Sequence, residues 1–367
     1  MSSRIHIEIH TKTTPTSKEA LDKILSLPLG FGQMFTDHMI CVPFYEDTGW
    51  LNGELKPYSP IPLDPASAVL HYGQSVFEGF KAFRQVDGSI ATFRPEANAR
   101  RFQRSAHRLA MAELPIEAFI EASDLLVAHD RQWVPTAKGT SLYLRPLLIA
   151  TERCLGVRPS REYLFILLAS PAGDYFAGGI RPVKVWVCDE YVRAAPGGTG
   201  EAKCGGNYAA SLVAQAEAVR NGCAQVVWLD AIHRANIEEM GGMNIFFVVE
   251  NDGTTTLVTP KLTGSLLPGI TRDSLLTIGS ELGYAVEERT VSVNEWIDKA
   301  STGEMTEAFA CGTAAVITPI GMVKHRSGEF TMGDGQGGPV ARQLREHLLS
   351  IQCGETADRQ GWMHRVC

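Results

Sequence analysis

The stretch EYLFILLAS, residues 162–170, is almost continuously apolar, which fits a strand buried on both faces better than one with a solvated side. It runs straight into PAGDYFAGGIRP, where Pro, Gly and small residues stop every periodicity. With 367 residues the chain is also too long for one ordinary core. Two domains are therefore expected: a small one over residues 1–170, a linker at 171–181 and a larger one over 182–367. Ligand sites favour domain interfaces, so the linker aromatics Tyr175 and Phe176 are candidates to line a cleft.

Both halves mix strand and helix signals, which gives an α/β class. In the first, FGQMFTDHMICVPF reads as extended and rich in β-formers, and Val86-Asp87-Gly88 turns a hairpin into SIATFRP. Two helical patterns follow, the first with Phe102, Ala106, Leu109 and Ala110 on one face, and Pro115 separates them. TSLYLRPLLIAT then precedes the apolar strand. In the second half a helix is expected over residues 207–220, with Gly222 just past its end. Strands AQVVWLD and MNIFFVVEN flank IEEMGG, Asp252-Gly253 makes a tight turn, and LLPGITRDSLLTIGSELGY opens a further helix. MTEAFACGTAAVITPI reads as a strand interrupted at Gly312 and Thr313.

The net charge of -7 is spread without long runs, which argues against nucleic acid or an anionic membrane surface as partner. No apolar run approaches the roughly 20 residues of a spanning helix, and MSSRIHIEIHTKTT lacks a secretory pattern, so a cytoplasmic location is expected. The eight cysteines lie far apart with no CxxC or zinc spacing, so they are read as reduced thiols, with no metal site.

The sharpest chemical signal is GEAKCGGNYAAS, residues 200–211, a lysine among glycines in a loop feeding a helix. It is not a Walker loop, since Lys203 has no following Ser or Thr, and the GxGxxG spacing fails at Lys203 itself. A neutral lysine can condense with a carbonyl, provided that desolvation or nearby cations lower its ordinary value of about 10.4. The plain alternative is a polar loop residue. A pyridoxal phosphate enzyme needs such a lysine, a partner at the pyridine nitrogen, a phosphate cup and an apolar support for the ring. Glu238 and Glu239 in IEEMGGMN offer the carboxylate, and strand alternation lets at most one of them point inward. LPGIT and CGTAA each put glycine-freed N–H groups beside a threonine hydroxyl, and RPEANARRFQR can supply an arginine for the phosphate.

The segments FGQMFTDHM, HYGQSVFEGFKAFR, FRPEANARRFQRSAHR, YLRP, PAGDYFAGG, KCGGNYAASL, EEMGGMN, LPGITR and CGTAA occur in one order from about residue 30 to about residue 325. In these the chain resembles the branched-chain amino acid aminotransferases of fold type IV. The resemblance implies a two-domain fold, each domain a sheet or barrel-like sheet flanked by helices, with pyridoxal 5'-phosphate at the interface. It implies that Lys203 is the Schiff-base lysine and the proton shuttle, that Tyr208 bonds the cofactor's phenolic oxygen and that Glu239 pairs with the pyridine nitrogen. Arg101, Gly269, Ile270, Thr271 and Thr313 would hold the phosphate, and Leu267 would pack on the ring. Phe35, Tyr72, Phe77, Tyr143 and Tyr175 would wall the substrate, Arg145 would organise the tyrosines, and Thr313 and Ala314 would take the α-carboxylate. Leu155 and Val157 would reach a neighbouring subunit's site, which implies a homodimer. The implied reaction moves the amino group between L-leucine, L-isoleucine or L-valine and 2-oxoglutarate, giving branched-chain 2-oxo acids and L-glutamate.

Gly242 stands where some members carry threonine, which would enlarge the pocket locally, and the CxxC pair that mammalian members carry after GTA is absent. His233 replaces an expected acidic residue and has no catalytic role in this reading. The rivals are another enzyme of the same fold, such as a D-amino acid aminotransferase or an aminodeoxychorismate lyase, and a binding protein without chemistry. D-Alanine against L-leucine separates the first, and absorbance above 400 nm the second.

Overall fold

The computed structural model describes residues 5–173 and 181–367. Tyr175, Phe176 and most of the expected linker lie outside the described residues. The chain divides into two compact units, Met1–Ala177 with Ala202–Gly205 and Ile351–Cys367, and Gly178–Glu201 with Gly206–Ser350. The segment holding Lys203 and the C-terminus thus count with the first unit, although the expected span 182–367 gave them to the second.

In the first unit the apolar run forms the strand Glu162–Ala172, which pairs with His38–Tyr45 on one edge and with Ser141–Ala150 on the other. A strand inside a ten-stranded sheet has no solvated edge, and Phe165, Ile166, Leu167 and Ala169 are all buried. The hairpin Phe80–Arg84/Ile90–Phe93 turns through Gly88 at φ 80, and the C-terminal strand Met363–Arg365 adds to its far edge. The helix Pro95–Arg108 begins with proline, whose fixed φ suits the first helical position, and Asn98 Nδ2 donates to the Arg94 carbonyl at 2.8 Å. It packs with Ile116–His129 on the sheet: Phe119 and Phe165 lie 5.6 and 5.9 Å from Phe102, ring centre to ring centre. Burying rings of this size contributes roughly 1.5–3 kcal/mol each.

The second unit closes on itself. Its sheet runs Ile237–Met240, Gln225–Leu229, Val183–Cys188, Val316–His325, Met305–Gly312, Met243–Asn251, and Ile237–Met240 pairs again with Met243–Asn251 to make a six-stranded ring. Thr254–Pro260 and Ala285–Arg289 extend the sheet from Met243–Asn251. Asp252 and Gly253 form the expected two-residue turn with φ 47 and 76. The helix expected over 207–220 is two pieces, Gly205–Ala209 and Leu212–Arg220, and the Tyr208 carbonyl accepts from Ser211 N–H where the first piece stops. Among the described residues no helix is long and apolar enough to cross a membrane, and all eight cysteines are free.

A buried polar knot in the first unit ties the N-terminal segment to the sheet. His38 Nε2 accepts from Lys12 N–H at 2.9 Å, so its proton sits on Nδ1, 2.6 Å from Asp130 Oδ1. Asp37 accepts from Lys12 Nζ, Thr16 and Trp133 Nε1. Burial opposes its charge, but these bonds outweigh it and bring its carboxyl from 3.8 down to about 2. A depressed carboxyl stabilises the fold fully above its unfolded value of about 3.9, and this contribution is lost as pH falls towards about 2. Acid unfolding followed by circular dichroism is therefore expected to steepen in that window. Asp37→Asn should lower stability at pH 7 and flatten the pH dependence between about 4 and 2.

Candidate active site

Lys203 is fixed by its backbone. Phe77 N–H donates to its carbonyl at 3.0 Å, Cys204 bridges to Val76, and its own N–H donates to Ser105 Oγ at 2.9 Å. Ser105 lies one helical turn after Arg101 on the buried face of Pro95–Arg108, so one helix face presents both. Lys203 Nζ then lies 4.9 Å from the centre of the Phe77 ring, and the Arg145 guanidinium lies 4.9 Å from that same ring. Arg145 Nη2 donates to the Tyr143 hydroxyl at 3.3 Å and its Nε to the Glu78 carbonyl at 3.0 Å, while Phe31 meets Tyr143 edge-on at 4.7 Å. Gly79 is required here, because a Cβ at that position would collide with the Tyr143 hydroxyl.

Arg101 is buried, as an arginine on an amphipathic helix rarely is. Glu78, buried too, accepts from its Nε at 2.6 Å and its Nη2 at 2.8 Å, a fork that holds the guanidinium in one plane. Tyr72 is held by the loop that carries Leu155. Its hydroxyl donates to the Leu155 carbonyl, and Tyr72, Leu155 and Val157 are 45%, 64% and 84% exposed. A short helix, Ala68–Tyr72, carries Tyr72 to that loop. Phe35 stacks on Tyr58 at 5.0 Å.

In the second unit Glu239 is 2% exposed on Ile237–Met240. Its Oε1 accepts from Leu267 N–H at 3.0 Å and Asn244 Nδ2 at 3.3 Å, and Arg193 Nε lies 2.8 Å from Oε2. Glu238 is buried as well. The expected alternation does not hold between the two: the ladder to Gln225–Leu229 shifts register between Trp228 and Leu229, so Ile237 and Met240 both join the core while Glu238 sits at the bulge, where it accepts from Ser265 Oγ. Burial pushes the Glu238 carboxyl up against that bond. Gly269 caps the 12-residue helix Ile270–Glu281, whose first turn brings Ile270 and Thr271 to the positive end of the dipole. Between Met305–Gly312 and Val316–His325, Thr313 and Ala314 occupy a three-residue turn. Val316 closes it at φ 61, a conformation that costs a β-branched residue energy and that clusters at ligand sites. Gly242 leaves room for a specific neighbour: a Cβ there would sit 3.1 Å from Tyr208 Cε1, so the residue gives clearance to that ring.

Each unit carries groups that suit pyridoxal phosphate: the first an amine on an aromatic face and a buried arginine, the second a buried carboxylate aligned by a guanidinium and an amide, and a helix N-terminus. The amino-transferase class IV family matches residues 75–323. The chain is 59% identical to the branched-chain-amino-acid aminotransferase of Mycolicibacterium smegmatis over all of this chain and 99% of that one. It is 56% identical to that of Mycobacterium tuberculosis over the same shares. The chain belongs to the branched-chain amino acid aminotransferases of class IV. Its fold is similar to the Escherichia coli branched-chain amino acid aminotransferase at TM-score 0.73 and 30% identity, over 89% of this chain and 99% of that one. It is also similar to the holo, PLP-form branched-chain amino acid aminotransferase of Thermobaculum terrenum, at TM-score 0.71 and 25% identity over 91% of this chain and 100% of that one. The enzyme is thus a transaminase, and pyridoxal phosphate is its cofactor.

Sequence reasoning missed Glu78, Ser105, Arg193 and Asn244. Glu78 and Asn244 stood inside quoted segments without a role, whereas Arg193 carried no periodic or motif signal. Ser105→Ala removes the acceptor of the Lys203 N–H and is expected to cost the aminotransferase roughly 1–3 kcal/mol in urea unfolding, with a lower kcat as the lysine loses its anchor.

Proposed function

We propose that this aminotransferase moves the amino group of L-leucine, L-isoleucine or L-valine to 2-oxoglutarate, and runs the same cycle in reverse. The observation that carries the reading is the Phe77 ring, 4.9 Å from both the Lys203 amine and the Arg145 guanidinium. An aromatic wall of Phe77, Tyr143 and Phe31 suits a branched aliphatic side chain, each buried group adding roughly 1.5–3 kcal/mol. Arg145 beside it offers a cation to the γ-carboxylate of glutamate or 2-oxoglutarate, so two unlike substrates can use one site in turn.

Pyridoxal phosphate, when bound, supplies an electron sink for the charge that develops at the substrate α-carbon. Lys203 Nζ takes the proton from that carbon and returns it at the far end of the half-reaction, nucleophile and acid/base in one side chain. Glu239, with both oxygens held, keeps a negative charge at the pyridine nitrogen, and Tyr208 donates to the phenolic oxygen. Arg101, Gly269, Ile270, Thr271 and Thr313 hold the phosphate, and Leu267 supports the ring. Thr313 and Ala314 take the substrate α-carboxylate, while Phe35, Tyr72 and Tyr175 belong to the wall. Tyr72, Leu155 and Val157 are exposed apolar groups that a second copy would cover, which supports a homodimer as the working unit.

A panel of amino donors with 2-oxoglutarate tests the substrates, and activity with D-alanine alone would overturn the assignment. Lys203→Ala is expected to bleach the absorbance above 400 nm and to lower kcat by roughly a thousandfold or more. Glu239→Gln should keep most of the cofactor while kcat falls by about a hundredfold.

A further inference from the structure

Glu238 takes no part in the reaction as described, yet it is 8% exposed and its carboxyl is pushed up by burial. A strand interior could hold an apolar residue there without that cost. Its hydrogen bond with Ser265 leads towards the pyridine anchor. Ser265 Oγ donates to Glu238 Oε1 and lies 2.7 Å from Thr263 Oγ1, while the carbonyl of the same Ser265 accepts from Arg193 Nη1 at 2.9 Å. Arg193 also reaches the Gly200 carbonyl, from Nη1 at 3.4 Å and Nη2 at 3.3 Å, and its Nε lies 2.8 Å from Glu239 Oε2. Gly200 leaves this cage no slack, because a Cβ there would collide with the Ser265 carbonyl oxygen. The other side of Glu238 borders a cavity of about 360 Å³ whose charged and titratable lining is Asp230, His233 and Lys261. Asp230 spends its oxygens on the N–H groups of His233, Ala235 and Asn236.

We propose that Glu238 is a positioning residue for the cofactor: through the Ser265 hydroxyl it fixes the Ser265 carbonyl on Arg193, and so holds Arg193 against Glu239. This rests on the reading of Glu239 as the partner of the pyridine nitrogen. Ser265 has two jobs on two atoms, and Glu238 restrains the hydroxyl so that the carbonyl stays on the guanidinium. A guanidinium caged by Ser265 and Gly200 cannot swing away from Glu239, and a carboxylate kept in one orientation holds the pyridine proton more firmly than one free to turn.

The test uses the holoenzyme and its Glu238→Ala, Ser265→Ala and Glu238→Gln variants. Three quantities are read: the pH dependence of the bound cofactor's absorbance above 400 nm, the dissociation constant of pyridoxal phosphate, and kcat against donor KM. Glu238→Ala and Ser265→Ala should each weaken cofactor binding and lower kcat about tenfold with donor KM little changed, and should move the pH at which the absorbance changes. Their combination should lose no more than either alone, since both cut one link. Glu238→Gln, whose amide oxygen still accepts from Ser265, should recover most of the loss. If Glu238→Ala does not fold, Ser265→Ala, which removes a single oxygen, decides. Variants that lose thermal stability but keep absorbance, affinity and kcat within about twofold would overturn the proposal, because a simple structural bond predicts that result. A Glu239→Gln enzyme that matches the wild type in absorbance and kcat sinks the parent reading together with this one. A crippled Glu239→Gln beside unaffected Glu238→Ala and Ser265→Ala sinks only this one.

Discussion

The chemistry of the first unit depends on a short main-chain contact, the pairing of Val76 and Phe77 with Lys203 and Cys204. A reactive lysine has a long, mobile side chain, and only a fixed backbone can aim it. The strand Ser75–Phe77 supplies one hydrogen bond and Ser105 supplies the other, so the Lys203 peptide is held from two elements. The same strand ends in Phe77, whose ring meets the amine, and the next residue is Glu78, which forks Arg101. Five consecutive residues, Ser75 to Gly79, therefore set the lysine, the arginine and the tyrosine that Gly79 lets approach.

Both units bury an arginine with a glutamate, and the two pairs work differently. The Glu78–Arg101 fork uses both carboxylate oxygens, leaves no room for rotation and neutralises two charges that would be costly alone. At Glu239 the arginine is only one of three neighbours, with Asn244 and the Leu267 N–H on the other oxygen. A carboxylate shared among several donors is held in place without being wholly consumed by one cation.

The sequence read most clearly where local chemistry and burial agree. The continuous run EYLFILLAS is a central strand, Asp252-Gly253 is a two-residue turn and LPGIT opens a helix, because each signal is local and no tertiary contact opposes it. It read poorly where strand pairing decides. Alternation along IEEM would separate the faces of Glu238 and Glu239, but the ladder to Gln225–Leu229 shifts register between Trp228 and Leu229, and no residue in IEEM announces that bulge. The break between Ala209 and Leu212 lies in an alanine-rich stretch with good helical propensity, and no residue there announces it. The bond from the Tyr72 hydroxyl to the Leu155 carbonyl joins positions 83 residues apart, which spacing does not carry.

Glycines in this chain mark close approaches as much as turns. Gly79 admits the Tyr143 hydroxyl, Gly200 admits the Ser265 carbonyl and Gly242 admits the Tyr208 ring. Each of the three admitted groups stands beside a site residue, so the missing Cβ atoms permit a density of polar and aromatic groups that alanine would push apart. Gly242 is the case where this changes the meaning of a substitution. A side chain at that position would press on Tyr208 first, so a substitution there acts through that ring.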